Sequence, residues 1–108
     1  MSKTQSARFE IEKFNGRNNF EIWKVKMHDL LIQQGVEKAL LGKSKQPLTM
    51  TDDEWSDIDD RALSDIWLCL ADDVLFNIMS EKTTTGLWTK LEKLYMTKSL
   101  TKRILLKR

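Results

Sequence analysis

Residues 14–35, FNGRNNFEIWKVKMHDLLIQQG, constrain the fold more than any other stretch, because a start, a stripe and a stop coincide there. Asn15-Gly16 is a strong turn dipeptide, since both residues tolerate positive φ at little cost. Asn18 or Asn19 then serves as N-cap, its side-chain oxygen taking a backbone N–H that the first helical turn leaves unpaired. Phe20, Trp23, Met27, Leu30, Leu31 and Gln34 recur at helical spacing and draw one apolar stripe. Gly35 stands where a helix ends on a left-handed residue. Phe14, just before the turn, is placed to fold back on the stripe. Trp23, near its middle, is the expected centre of the core.

The remaining chain repeats this grammar. Residues 1–13 read as a flexible or extended leader, with Phe9 and Ile11 alternating with charged neighbours. Val36 to Leu41 predicts one short turn ending at Gly42, and GKSKQPLTM after it reads as a loop around the only proline, Pro47. Thr51-Asp52-Asp53-Glu54 is a capping box, with Thr51 at N-cap and Glu54 reaching back from the third helical position. The helix it opens carries Trp55, Ile58, Ala62, Ile66 and Cys69 at steps of three and four, widened by Leu63, Trp67 and Leu70, and runs to about Leu70. Asp72 and Asp73 are expected to cap a short third helix bearing Val74, Leu75, Ile78 and Met79. Thr84 or Thr85 is expected to cap a fourth, with Leu87, Trp88, Leu91, Leu94 and Tyr95 as its stripe. Ser99 or Thr101 opens a fifth, with Leu100, Ile104 and Leu105 on one side. That pattern is still running at Arg108, which predicts a truncation within the last helix.

The expected fold is therefore all-α, a small bundle of about five helices over residues 14–108 behind a short extended leader. The stripes place Phe14, Trp23, Met27, Leu31, Trp55, Ile66, Trp88, Leu91 and Tyr95 in its core. A chain of 108 residues, 41% hydrophobic and 31% charged, suits one soluble globular domain. No apolar run approaches the ~20 residues of a membrane span, and residues 1–14 lack the apolar centre of a signal peptide. A lone Cys69 forms no internal disulfide and fits a reducing compartment. One histidine and one cysteine cannot furnish a zinc knuckle.

Charge is distributed in blocks. Residues 1–50 hold nine Lys/Arg against five Asp/Glu (+4), residues 51–80 one against nine (−8), and residues 81–108 eight against two (+6). Such a pattern lets helices of one molecule attract one another, or one molecule dock head to tail on the next. Asp52, Asp53, Glu54, Asp57, Asp59 and Asp60 lack the glycine and oxygen spacing of a calcium loop, and helix capping accounts for most of them. His28 has no ligand partners at metal spacing. Cys69 falls on an apolar face, where a structural thiol belongs, rather than in the electropositive exposed setting of a nucleophile. Phosphate-binding and catalytic signatures are absent. The expectation is no enzyme, no metal, no cofactor and no small-molecule substrate. The four tryptophans, Trp23, Trp55, Trp67 and Trp88, sit among Leu, Ile and Met, which favours packing over stacking on bases. A basic end (Lys90, Lys93, Lys98, Lys102, Arg103, Lys107, Arg108) is a weak RNA signal without interleaved aromatics.

Four stretches carry the reading further: KFNG…NNFEIWKVKMHDLLIQQG at 13–35, DEWSDIDDRALSDI at 53–66, L-x-D-D-V-x-x-x-I at 70–78, and TTTGLWTKLEKLYMTKSLTKRILLKR at 83–108. In these words, and in the ordered series Trp23, Met27, Trp55, Trp88, Leu91, Tyr95, the chain resembles the Gag part of copia-type LTR retrotransposon polyproteins, particularly plant ones. The resemblance implies the N-terminal capsid region of Gag, with Trp23, Met27, Trp55, Ile66, Trp88 and Tyr95 as core residues. In that family Gag self-assembles into a virus-like particle that packages the element's RNA. Its relatives continue into a second helical capsid domain, a CCHC zinc knuckle and the polyprotein enzymes, none of which this sequence contains.

The functional expectation is thus a cytoplasmic, self-associating structural protein. Leu100, Ile104 and Leu105 are the expected strip for pairing two copies into a dimer. Lys98, Lys102, Arg103, Lys107 and Arg108 are the expected weak RNA contacts. The alternative is a domesticated Gag-derived fragment that binds nucleic acid or interferes with assembly as a regulator. Neither reading involves a membrane.

Overall fold

The computed structural model describes residues 11–96, and every element in it is helical. Helix α1 runs from Phe20 to Gln34, α2 from Asp52 to Leu68, α3 from Asp72 to Ile78 and α4 from Thr84 to Leu91. Two 3-10 turns, Glu37–Leu41 and Lys43–Lys45, link α1 to α2, and a single π turn, Glu92–Met96, continues α4. The fold is all-α, with four α-helices among the described residues. The expected fifth helix, with Leu100, Ile104 and Leu105, lies outside them.

Local chemistry sets the boundaries. Asn19 is the N-cap of α1, accepting from Ile22 N–H. Asn18 instead closes the preceding turn, where Asn15 Oδ1 accepts from the N–H groups of Arg17 and Asn18 while Asn18 Oδ1 accepts from Asn15 N–H. At the far end Gly35 has φ 74°, its N–H donating to Ile32 O and the next N–H, Val36, to Leu31 O. This paired closure satisfies carbonyls that the last turn would otherwise orphan. The capping box at α2 is complete: Glu54 N–H donates to Thr51 Oγ1, and Thr51 N–H to Glu54 Oε1.

Four boundaries differ from expectation. The N-cap of α3 is Ala71, which puts Asp72 and Asp73 inside the first turn as charges at the positive helix end. The N-cap of α4 is Thr83, accepting from Gly86 N–H. Thr84, fully buried, turns to α2 instead: its N–H donates to Asp59 Oδ1 (3.0 Å) and its hydroxyl to Asp59 O (2.9 Å). Helix α2 stops at Leu68 because Leu70 pairs in an isolated bridge with Phe14. The predicted loop after Gly42 winds one 3-10 turn at Lys43–Lys45.

That bridge fastens the start of the domain to its middle. Phe14 N–H donates to Cys69 O (3.1 Å), and Ala71 N–H donates to Phe14 O (2.9 Å). Trp23 Nε1–H also donates to Cys69 O (3.0 Å). The Phe14 ring then lies 5.1 Å from Phe20, 5.7 Å from Trp23 and 4.9 Å from Tyr95, the last edge-on. Trp23 stacks at 6.1 Å on Trp88, so the aromatic cluster runs from the π turn through α1 to α4. Around it, α1, α2, α4 and the 37–41 turn bury Met27, Leu31, Val36, Ala39, Ile66, Leu87 and Leu91.

Candidate interaction surface

The predicted core residues fall into three groups. Phe14, Trp23, Met27, Leu31, Ile66 and Leu91 are buried in one cluster. Trp55 is buried too, but stands apart from that cluster. Trp88 and Tyr95 are half-buried and pack against it. The π turn explains Tyr95: widening the helix there carries Tyr95 and Met96 toward the core and leaves Leu94 39% exposed. Met79, expected on an apolar stripe, is exposed beyond the end of α3.

The acidic block serves helix ends and joints. Asp52 Oδ1 accepts from Lys43 Nζ (3.0 Å) and Gln46 Nε2 (3.1 Å), and the lysine hydrogen bond, followed by that of Gln46, holds the Asp52 carboxyl below the ordinary carboxylate range. Asp57 pairs with Arg61, which also donates to Gln34 O, and Asp59 anchors Thr84. No group of three or more potential metal ligands converges among the described residues. Cys69 is buried, and its carbonyl, not its thiol, is the hub that holds Phe14 and Trp23. His28 is exposed on α1. Lys90 approaches Glu81 at 3.7 Å, and Lys93 is exposed. The expected RNA contacts Lys98, Lys102, Arg103, Lys107 and Arg108, like the expected dimer strip, lie outside the described residues. No helix among the described residues is long and apolar enough to cross a membrane.

What the domain offers is surface. An open groove of about 590 Å³ runs between the loop before α2 and α2 itself, lined by Lys38, Pro47, Met50, Asp53, Asp57 and Ile58 among others. Leu48 projects fully into solvent at the tip of that loop, and Phe76 is 77% exposed on α3. Helix α1 shows a second apolar side, with Ile22, Val25 and Ile32 exposed opposite its buried stripe. The stripe expected from Phe20 to Gln34 does not include this side. Its signal was available in the spacing of residues 22, 25 and 32, which fall on the side away from Trp23 and Met27.

Among the described residues, several carboxylates of the acidic block are engaged in caps and joints between elements, and the domain presents apolar and charged faces to solvent, the features of a surface for interaction. Comparison with known proteins narrows the class. The family model for the gag-polypeptide of LTR copia-type matches residues 27–108, and the chain belongs to that family. It is similar to the Retrovirus-related Pol polyprotein from transposon TNT 1-94 of Nicotiana tabacum, 52% identical over 102 residues. The match takes in 94% of this chain and 8% of that polyprotein, so the chain spans a small part of its relative's length. No solved structure matches. The gag polypeptide is the structural portion of such an element, which sets the chain among structural and not catalytic proteins.

Proposed function

We propose that this chain is the N-terminal capsid region of a copia-type Gag, a cytoplasmic subunit that associates with copies of itself into a particle enclosing the element's RNA. One observation carries the reading: a 52% identity that runs through 94% of the chain, in a family defined by Gag itself. The physical fit is good. A shell subunit needs a rigid body and several small contacts, each weaker than a standard interface, whose strength comes from repetition. The interlocked caps, the Phe14 bridge and the aromatic cluster supply the rigid body, and the exposed apolar faces supply the contacts.

The test is sedimentation velocity of the purified chain from micromolar to millimolar concentration, with electron microscopy of the same samples. Oligomers that grow with concentration and close into particles are the expected result. A single monomeric species throughout, with no particles, would remove the reading. RNA recovered from those particles after nuclease treatment would establish packaging.

A further inference from the structure

On its outward side α1 carries apolar residues that the domain does not cover. Ile22, Val25 and Ile32 are 54%, 62% and 48% exposed, while Phe20, Trp23, Met27, Leu30 and Leu31 on the other side are buried. A helix apolar on two sides is expected where both sides are packed. Together with exposed Asp29, the outward positions recur at steps of three, four and three, the a–d–a–d spacing of a coiled-coil seam. Shallow grooves flank this ridge, one against Trp88 and one against Asn18 and Asn19, so a second ridge has somewhere to sit.

Charge selects both the occupant and its orientation. Neither Lys26 nor Asp29 has an ion pair among the described residues. If two α1 helices lie antiparallel about a two-fold axis level with Met27, Ile22 meets the partner's Ile32 and Val25 meets the partner's Asp29. Each Asp29 then lies one residue, about 1.5 Å along the axis, from the level of the partner's Lys26. Parallel pairing would instead set Asp29 against the partner's Asp29, two like charges in one layer. The antiparallel arrangement is isologous and closes on itself, so it makes a dimer and not a filament.

We propose that α1 packs antiparallel on α1 of a second copy through Ile22, Val25, Asp29 and Ile32, with Lys26 paired to the partner's Asp29. The inference rests on the self-association proposed above and names one of its contacts. A seam along 15 residues is only about 22 Å long, a small interface of the kind that a shell uses many times over.

Cysteine cross-linking of the whole chain tests it. Under mild oxidation Ile22→Cys/Ile32→Cys should give a covalent dimer, because those positions meet across the axis. Ile22→Cys and Ile32→Cys alone should give no covalent dimer, since like positions lie about 15 Å apart, and the two sites within one helix are just as distant. A covalent dimer from either single variant overturns the proposal in favour of parallel pairing. Absence of a dimer from the double variant also overturns it. Charge reversal gives a second readout: Lys26→Asp and Asp29→Lys should each weaken association about fivefold, and the double exchange should restore it. If all these variants assemble like the parent chain, this interface is wrong and the Gag reading survives. If no form of the chain associates at any concentration, both fall.

Discussion

Trp23 fills the middle of the aromatic cluster and also closes a hydrogen bond from its indole nitrogen to Cys69 O. The two contributions can be separated. Trp23→Ala removes the ring and the bond together and should destabilise the domain by about 3–5 kcal/mol, as for other large buried aromatics. Trp23→Phe keeps most of the packing. It also leaves no orphan acceptor, because Cys69 O still receives Phe14 N–H. Its cost should therefore be about 1–2 kcal/mol, a lost hydrogen bond plus a small void. Urea unfolding of both variants measures the difference, and an alanine cost below ~1 kcal/mol would mean that the ring is not central. Burial at Trp23 was legible from its place on a 3.6-period stripe. That its N–H bonds to a carbonyl 46 residues away was not, because periodicity says which side a residue faces and nothing about its distant partner. Trp55 shows the same limit: its stripe predicted burial, but not that it would be buried apart from the main cluster.

At the scale of elements, what could be read in advance was what is settled within three or four residues. The capping box of α2, the Asn19 cap and the Gly35 stop are contacts between near neighbours, and the sequence spells them out. Gly35 has open space where a Cβ would be, so its requirement is purely conformational: φ 74° is costly for most residues other than glycine and asparagine. The caps of α3 and α4 were displaced for non-local reasons. Asp59 of α2 claims Thr84, and Phe14 claims the backbone on either side of Leu70. The joint between the 43–45 turn and α2 gives a prediction with a definite pH sense. Lys43 and Gln46 lower the Asp52 carboxyl pKa in the folded state. A depressed carboxylate stabilises the fold above its unfolded pKa, and that stabilisation is lost as pH falls through the lower folded value. Asp52 should therefore be indifferent to pH between 5 and 8, and should release its partners only in acid below about pH 4. Lys43→Met should move the Asp52 titration back up toward the ordinary carboxylate range. A carboxyl-detected NMR titration of both proteins checks this, and identical curves would show that the lysine contact does not persist in solution.

For the whole molecule, charge divides the chain into an acidic body and a basic end. The described residues 11–96 contain eleven Lys/Arg against fifteen Asp/Glu, a net −4, whereas residues 97–108 contain five Lys/Arg and no Asp/Glu, a net +5. A net acidic body repels a phosphate backbone, and at close range its faces are better suited to proteins than to RNA. Any RNA affinity of this chain should then reside in Lys98, Lys102, Arg103, Lys107 and Arg108. For single-stranded RNA each neutralised phosphate contributes about 0.7 to the slope of log K against log salt, so five cations set a ceiling of about 3.5. Fluorescence anisotropy with a short single-stranded RNA, repeated across salt concentrations, should give a slope no steeper than that. Exchanging all five cations for glutamine should abolish binding. Self-association through the outward side of α1 should survive that exchange, because none of the five belongs to α1. A slope well above 3.5, or binding that persists after the exchange, would place RNA elsewhere on the chain, on the acidic body or on Lys3 and Arg8, and would remove the basic end as its seat.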